Sequence, residues 1–178
     1  DDGLPPYIFL TPTDYTDADD GIRKFAKPIA KVLESQGALA AGHALMAAVA
    51  EAVKYQAGQT TVETKASEAL AAGKGVCQDQ THLFIAAARH LGLPTRYVSG
   101  YLAAGKGNDS HLASHAWAET LVEGLGWVSF DPANDQCATD AYIRLALGLD
   151  YGTACPIRGL RSGGGLEEMD VNLRIDEQ

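Results

Sequence analysis

The first half of the chain carries apolar residues at the spacing of amphipathic helices. In the first segment they recur every three or four positions, at Ile22, Phe25, Ile29, Val32 and Leu33. This pattern predicts a helix that ends near Gly37, and Pro28 inside it predicts a kink or a later helix start. A second helix is predicted over residues 38–57, because Gly58 ends the apolar spacing there.

A short third helix and a longer fourth helix are predicted before the middle of the chain. The third follows Thr64, a suitable N-terminal cap, and stops at Gly73. In the fourth, the apolar residues at helical spacing are Leu83, Phe84, Ala87, Ala88 and Leu91. Gly92 ends this helix, and Cys77 therefore lies in its first turn.

The second half of the chain predicts β-strands. Residues 95–102 alternate and are rich in residues that favour strands, and residues 115–122 and 127–131 predict two more strands. The short loop between these two contains Gly124 and Gly126, which indicates a hairpin. Helices followed by antiparallel strands indicate an α+β fold, and we expect a single domain over residues 1–178.

The predicted helix start gives Cys77 a chemical environment. The first turn of a helix has backbone N–H groups without helical acceptors and the positive end of the helix dipole, and both stabilise an anion. The thiolate is the reactive form of cysteine, and the same N–H groups can bind the oxyanion that forms when it attacks a carbonyl. Gly73 and Gly75 leave this turn open. The alternative is that Cys77 is a small apolar residue that fills the turn.

The predicted hairpin can supply a base and an acid to this cysteine. His115 and Trp117 share one face of the first strand, and Asp131 ends the second. A register with Trp117 opposite Asp131 brings the carboxylate beside the imidazole, which is how an acid fixes the tautomer of a catalytic base. Alternatively, His115 is a structural strand residue and Asp131 ends a strand before Pro132. Trp117 either shields the contact from water or packs in the core.

Charge and hydropathy argue against two classes of partner. The net charge is −9, and the 14 Lys and Arg residues form no basic cluster. Because phosphate contacts dominate nucleic-acid affinity, we expect no nucleic-acid partner. No uninterrupted apolar stretch reaches the roughly 18 residues that a membrane span needs, so we expect no membrane partner either.

Three cysteines, an odd number, favour a reducing compartment, and we expect a cytoplasmic protein. A disulfide between Cys137 and Cys155 in an oxidising compartment is the alternative. Zinc binding is the chemical rival, since His111 and His115 are four residues apart. However, the chain has no CxxC pair, and a four-residue spacing converges on a helix rather than in a loop that enters a strand. We therefore expect no metal and no cofactor.

Three sequence blocks resemble the transglutaminase-like superfamily, and specifically its bacterial predicted cysteine peptidases. The blocks are GKGVCQDQTHLFIAAARHLGLPTRYVSGYL, SHAWAETLVEGLGWVSFDPAN and DYGTACPIRGLRSGGG. They occur in the order and spacing of the family, and the resemblance extends from about Leu10 to Ile175. It implies a papain-like α+β fold in which the helix of the nucleophile packs on an antiparallel sheet.

The resemblance also implies a catalytic triad of Cys77 as nucleophile, His115 as base and Asp131 as acid. The implied activity is that of a cysteine peptidase or amidase, which cleaves amide bonds of a peptide or protein substrate through a thioester. A transglutaminase, in which an amine resolves the thioester, and a non-catalytic peptide-binding module on the same fold are the alternatives. Because the family usually carries a β-rich domain before this core, we expect the chain to be the C-terminal part of a longer protein. Cys155 departs from the pattern of the family.

Overall fold

The computed structural model describes residues 3–104 and 111–156. Its helices are a 3-10 helix over Pro6–Leu10, α1 over Asp20–Ala52, α2 over Ala66–Ala72, α3 over Cys77–His90 and α4 over Tyr151–Ala154. Its strands are β1 over Lys54–Tyr55, β2 over Lys74–Gly75, β3 over Thr95–Ala104, β4 over His111–Val122, β5 over Gly126–Phe130 and β6 over Tyr142–Gly148. The longer helices precede the longer strands, which confirms the α+β class.

Two helical arms that join at Gly37 make up α1. The carboxylate of Asp19 caps the first turn by accepting a hydrogen bond from the Ile22 backbone N–H at 2.8 Å. Gly37 has a φ of 85°, which confirms the predicted break there. The helix begins at Asp20 and continues through Pro28, so the expected later start of the helix was wrong. Pro28 is exposed, and water can therefore satisfy the carbonyl that its ring leaves without a donor.

The chain leaves α1 earlier than the predicted helix over residues 38–57 would. Instead, Lys54–Tyr55 pairs in parallel with Lys74–Gly75, as β1 and β2. The Gln56 backbone N–H extends this pairing by donating to the carbonyl of Gly75 at 2.7 Å. The pairing holds the chain next to the turn that enters α3. Two-residue strands have no readable period, so the sequence pattern did not predict them.

The four longer strands form an antiparallel sheet in the order β5–β4–β3–β6. The β4–β5 hairpin was predicted, and Gly124 and Gly126 adopt positive φ angles of 79° and 81° at its turn. The predicted third helix also stands, as α2, which Gly73 ends with a left-handed φ of 67°. Strand β6 was not predicted, and it flanks β3 on the side away from β4.

Helix α3 packs against α1 and α2 and also against β3 and β4. Large buried members of the resulting apolar core are Ile22, Leu45, Phe84, Tyr97 and Phe130. The helix is buried along most of its length, so its orientation is set by the whole core. Consequently the position of Cys77, the first residue of α3, follows from the packing of the domain.

The guanidinium of Arg89, near the end of α3, ties distant segments together. It donates hydrogen bonds of 2.8–3.0 Å to the carbonyls of Phe9, Thr11, Thr95 and Leu149. Burial lowers its pKa to about 10, which still leaves it charged at neutral pH. One buried cation thereby satisfies backbone acceptors from the N-terminal segment, the start of β3 and the loop before α4.

Candidate active site

The buried carboxylate of Asp79 fixes the turn that leads into α3. It accepts hydrogen bonds from the Val76 backbone N–H and from the Thr60 hydroxyl, both at 2.7 Å. A Cβ built on Gly75 would lie 2.7 Å from the Asp79 side chain, so no other residue fits there without movement. These contacts determine where Cys77 emerges at the start of the helix. Asp79 therefore caps the start of the helix.

Cys77 is half-buried at the first position of α3, as the sequence predicted. The side-chain amide of Gln78 donates to the carbonyl of Val62 at 3.0 Å, so it is engaged by the preceding loop. Backbone N–H groups in the first turn of a helix lack helical acceptors. These N–H groups, rather than the Gln78 amide, are the donors that can reach an oxyanion formed at Cys77.

His115 and Asp131 meet across the β4–β5 hairpin. The register that pairs Ala118 with Phe130 is the one that the sequence predicted for this contact. His115 Nε2 lies 2.6 Å from Asp131 Oδ2. Cys77 lies close enough to the His115 imidazole to influence its pKa, and because Nε2 faces Asp131, Nδ1 is the nitrogen left to serve the thiol. The structure thus brings the three predicted site residues together in one row, in which Cys77 neighbours His115 and His115 is hydrogen-bonded to Asp131.

The row is strongly polarised. Burial alone would lower the pKa of His115, but the hydrogen bond to Asp131 and the neighbouring Cys77, together with the charges of both, raise it from 6.5 to about 9. Burial would likewise raise the pKa of Asp131, yet the hydrogen bond and charge of His115 bring it below its ordinary value. At neutral pH the pair is therefore an imidazolium and a carboxylate. A protonated imidazole beside a cysteine favours the thiolate.

Sequence reasoning missed two further donors to Asp131. The Tyr142 hydroxyl donates to Oδ2 at 2.6 Å, and Asn134 Nδ2 donates to the same oxygen at 2.7 Å. The other carboxylate oxygen accepts the Ala133 backbone N–H at 2.9 Å. Asn134 could have been found, because an Asn three residues after the Asp of an Asp-Pro pair is typical of a turn that folds back on that Asp. Tyr142 could not, since its place depends on the pairing of β6 with β3.

Trp117 encloses the contact between the imidazole and the carboxylate. Its ring stacks near that of His115 with centroids 6.2 Å apart and meets the ring of Tyr142 edge-on at 5.3 Å. Only 2% of Trp117 is exposed. A Cβ on Gly100 would come within 2.9 Å of the indole, so this glycine lets the ring approach β3 closely. Trp117 is thus both a buried packing residue and a water shield, which unites the two predicted alternatives.

The remaining predictions from composition concern groups outside this row. No disulfide joins Cys137 and Cys155, so the alternative of a bond between them does not hold in this structure. Within residues 3–104 and 111–156, no three His, Cys, Asp or Glu side chains are arranged to hold a metal. The side chain of His111, the other residue of the zinc hypothesis, lies outside the described part. In the same two ranges, no helix has the length and apolar character needed to cross a membrane.

The chain is similar in sequence to one protein superfamily and to mycobacterial relatives. Residues 23–132 match the profile of the Transglutaminase-like superfamily. An uncharacterized protein of Mycobacterium leprae is 35% identical over 170 residues, which is 93% of this chain and 59% of that protein. An uncharacterized protein of Mycobacterium tuberculosis is 36% identical over 160 residues, which is 85% of this chain and 49% of that protein. The chain therefore spans about half the length of these relatives.

Two solved structures share the fold. A proposed cysteine protease from Cytophaga hutchinsonii superposes with a TM-score of 0.67 and 29% identity, over 85% of this chain and 50% of that chain. The periplasmic domain of TgpA from Pseudomonas aeruginosa, in a crystal structure bound to ethylmercury, superposes with a TM-score of 0.56 and 20% identity. That alignment covers 75% of this chain and 51% of the TgpA chain. At this identity, the second similarity concerns the fold alone.

Proposed function

Because the chain belongs to the Transglutaminase-like superfamily, we propose that it is a thiol-dependent acyl-transfer enzyme that hydrolyses amide bonds in peptide or protein substrates. The observation that carries the proposal is the row of Cys77, His115 and Asp131, in which the imidazole is hydrogen-bonded to the carboxylate and neighbours the thiol. Such a row of nucleophile, base and orienting acid is the arrangement that activates a thiol for attack on a carbonyl. The similarity to the proposed cysteine protease from Cytophaga hutchinsonii supports a peptide substrate.

In the resting enzyme, the proton of the Cys77 thiol already resides on Nδ1 of His115, so the first half-reaction starts from a thiolate and an imidazolium. The sulfur attacks the carbonyl carbon, so a C–S bond forms and the π electrons of the carbonyl move to its oxygen. Backbone N–H groups of the first turn of α3 bind this oxyanion. The oxyanion collapses and the C–N bond breaks. The imidazolium returns its proton to the leaving amine, and a thioester on Cys77 remains.

In the second half-reaction, an acceptor attacks the thioester. His115 takes a proton from water, the C–O bond forms, and the C–S bond breaks to release a carboxylic acid and regenerate Cys77. A primary amine in place of water would give a transamidation, the reaction for which the superfamily is named. The two reactions share the thioester. We favour hydrolysis, because water is the default acceptor unless a site excludes it.

We also propose that these groups act within a single catalytic domain over residues 1–178 in the cytoplasm. The odd number of cysteines supports a reducing compartment. This chain spans only part of its relatives, so extending the same activity to the full-length relatives is a proposal as well.

A peptide-library digest, analysed by mass spectrometry with and without an added primary amine, tests the proposal. Hydrolysis predicts new C-terminal carboxylates that are absent with Cys77→Ala and largely unaffected with Cys155→Ser, its control at another half-buried thiol. Amine adducts as the dominant product would instead favour transamidation. If wild type and Cys77→Ala give the same products, the thiol mechanism is wrong.

A further inference from the structure

Three side-chain groups converge on one oxygen of Asp131. His115 Nε2 and the Tyr142 hydroxyl each lie 2.6 Å from Oδ2, and Asn134 Nδ2 lies 2.7 Å from it. The carboxylate is fully buried, so its hydrogen bonds come from protein groups. In such a place each donor alters what the same oxygen offers to the others. The oxygen that orients His115 is therefore also the one that Tyr142 binds.

The surroundings of the Tyr142 hydroxyl fix the direction of its single proton. Gln136 Nε2 lies 2.9 Å from the phenol oxygen, and an amide nitrogen can only donate. The phenol oxygen therefore accepts from Gln136, and its own proton points to Asp131. Burial and the hydrogen bond to Asp131 raise the pKa of Tyr142 to about 12, so the hydroxyl keeps this proton over the pH range in which His115 titrates.

The ring of Tyr142 is held as firmly as its hydroxyl. It meets the Trp117 ring edge-on at 5.3 Å and lies 5.8 Å from the His115 ring, while Leu102 pairs with it across β3 and β6. The groups around the imidazole are thus Cys77 from α3, Asp131 and Asn134 from the segment after β5, Trp117 from its own strand, and Tyr142 from β6. Asp131 and a deprotonated Cys77 are the charged members of this set.

We propose that Tyr142 is a positioning residue that sets the proton affinity of His115 by sharing the Asp131 oxygen that His115 binds. A carboxylate that already accepts a phenol proton attracts an imidazolium less strongly. Tyr142 thereby keeps His115 acidic enough to pass its proton to a leaving amine. Only this catalytic consequence rests on the proposed function, because the effect on His115 itself needs no substrate.

The test is an NMR titration of the His115 imidazole in full-length protein that carries Cys77→Ala. This change removes the influence of the thiol on the titration. Adding Tyr142→Phe keeps the ring and removes the hydroxyl. We expect the pKa of His115 to rise by roughly half a unit to one unit. The lost phenol hydrogen bond destabilises the Asp131 carboxylate most when the imidazole beside it is neutral, so protonation of the imidazole becomes more favourable. Gln136→Leu, at an exposed position, should cause a smaller shift in the same direction.

The control is Tyr7→Phe, which removes a hydroxyl from a residue that is 70% exposed and leaves the titration unchanged. In otherwise wild-type enzyme, Tyr142→Phe should lower kcat several-fold at neutral pH, leave KM nearly unchanged, and move the alkaline limb of kcat/KM upward. An unchanged or lowered pKa of His115 in Tyr142→Phe overturns the proposal. If the pKa of His115 rises in Tyr142→Phe but the wild-type protein cleaves no amide, the role of Tyr142 is supported and the proposed function is rejected.

Discussion

His115 couples the chemistry of the site to pH. Its pKa is about 9 in the folded protein and 6.5 as an ordinary value, so the imidazolium stabilises the folded state. This stabilisation is fully present below pH 6.5 and is lost as the pH rises through about 9. Asp131 has the opposite dependence. Because its pKa is lowered by folding, its contribution is present above its ordinary value of 3.8 and disappears as the pH falls through the lowered pKa.

The pH dependence of turnover follows from the same imidazolium. We predict that kcat/KM of the wild type falls above a pH of about 9, where His115 no longer carries the proton for the leaving amine. Asp131→Asn removes the charge that raises the pKa of His115, so the alkaline limb should move toward 6.5 and turnover should drop. Asp135→Asn, a matched change at an exposed turn residue with a φ of 51°, should leave the profile unchanged. An alkaline limb that stays near pH 9 in Asp131→Asn would contradict this account.

Individual residues of the site were predictable to different degrees. Cys77 stood out because glycines and a helical apolar pattern surround it, and His115 and Asp131 because a two-strand hairpin has few registers. Tyr142 had no local signal. Its hydroxyl reaches Asp131 only because β6 folds back along β3, and no short-range pattern encodes that pairing.

At the scale of single elements, the entry into α3 is the most demanding turn of the fold. We predict that Gly75→Ala destabilises the protein by about 1–3 kcal/mol, since a Cβ there would press on the buried Asp79 side chain that caps the helix. Activity should fall with it, because the same turn positions Cys77. Thermal or urea unfolding and kcat/KM measure both effects.

Gly152→Ala is the matched control for that change. A Cβ at Gly152, within α4, would lie no nearer than 3.4 Å to its neighbours, which is ordinary contact. The stability of Gly152→Ala should therefore stay within about 0.5 kcal/mol of the wild type. If Gly75→Ala is as stable and active as Gly152→Ala, the packed turn does not constrain the helix start.

The elements themselves were predictable where a pattern had room to repeat. Gly37, Gly73 and the β4–β5 turn marked real boundaries, because glycine is favoured at left-handed positions. Pro28 does not delay the start of α1, because an exposed helix face can hydrate the carbonyl that proline leaves unpaired. β1 and β2 were too short for a period, and their pairing depends on residues that are distant in the sequence.

At the scale of the whole molecule, the buried Arg89 joins segments that no other single side chain connects among the described residues. We predict that Arg89→Met lowers the free energy of unfolding by about 3 kcal/mol or more, because several buried carbonyls lose their donor at once. Chemical denaturation measures the change. Arg23→Met, which removes an exposed ion pair with Asp20, should cost less than about 1 kcal/mol. Equal effects of the two changes would show that the Arg89 contacts carry little stability.

The α+β class was readable from the order of helical and alternating patterns, and the superfamily from three sequence blocks. The order of strands in the sheet was not readable, since β6 pairs with β3 although the β4–β5 hairpin lies between them in the sequence. The part of the third block beyond residue 156 lies outside the described residues. The acyl acceptor and the substrate stay predictions, because hydrolysis and transamidation use the same three side chains and share the thioester.

The central claim is that His115 activates Cys77, and competitive alkylation of the folded wild type tests it most directly. Cys77, Cys137 and Cys155 are all half-buried, so accessibility alone does not favour Cys77, and burial raises the pKa of the Cys137 thiol. A short pulse of limiting iodoacetamide at about pH 6, followed by peptide mapping, should label Cys77 first. His115→Ala should slow that labelling and leave the other two thiols unchanged. Faster labelling of Cys137 or Cys155 than of Cys77 in the wild type would contradict the claim.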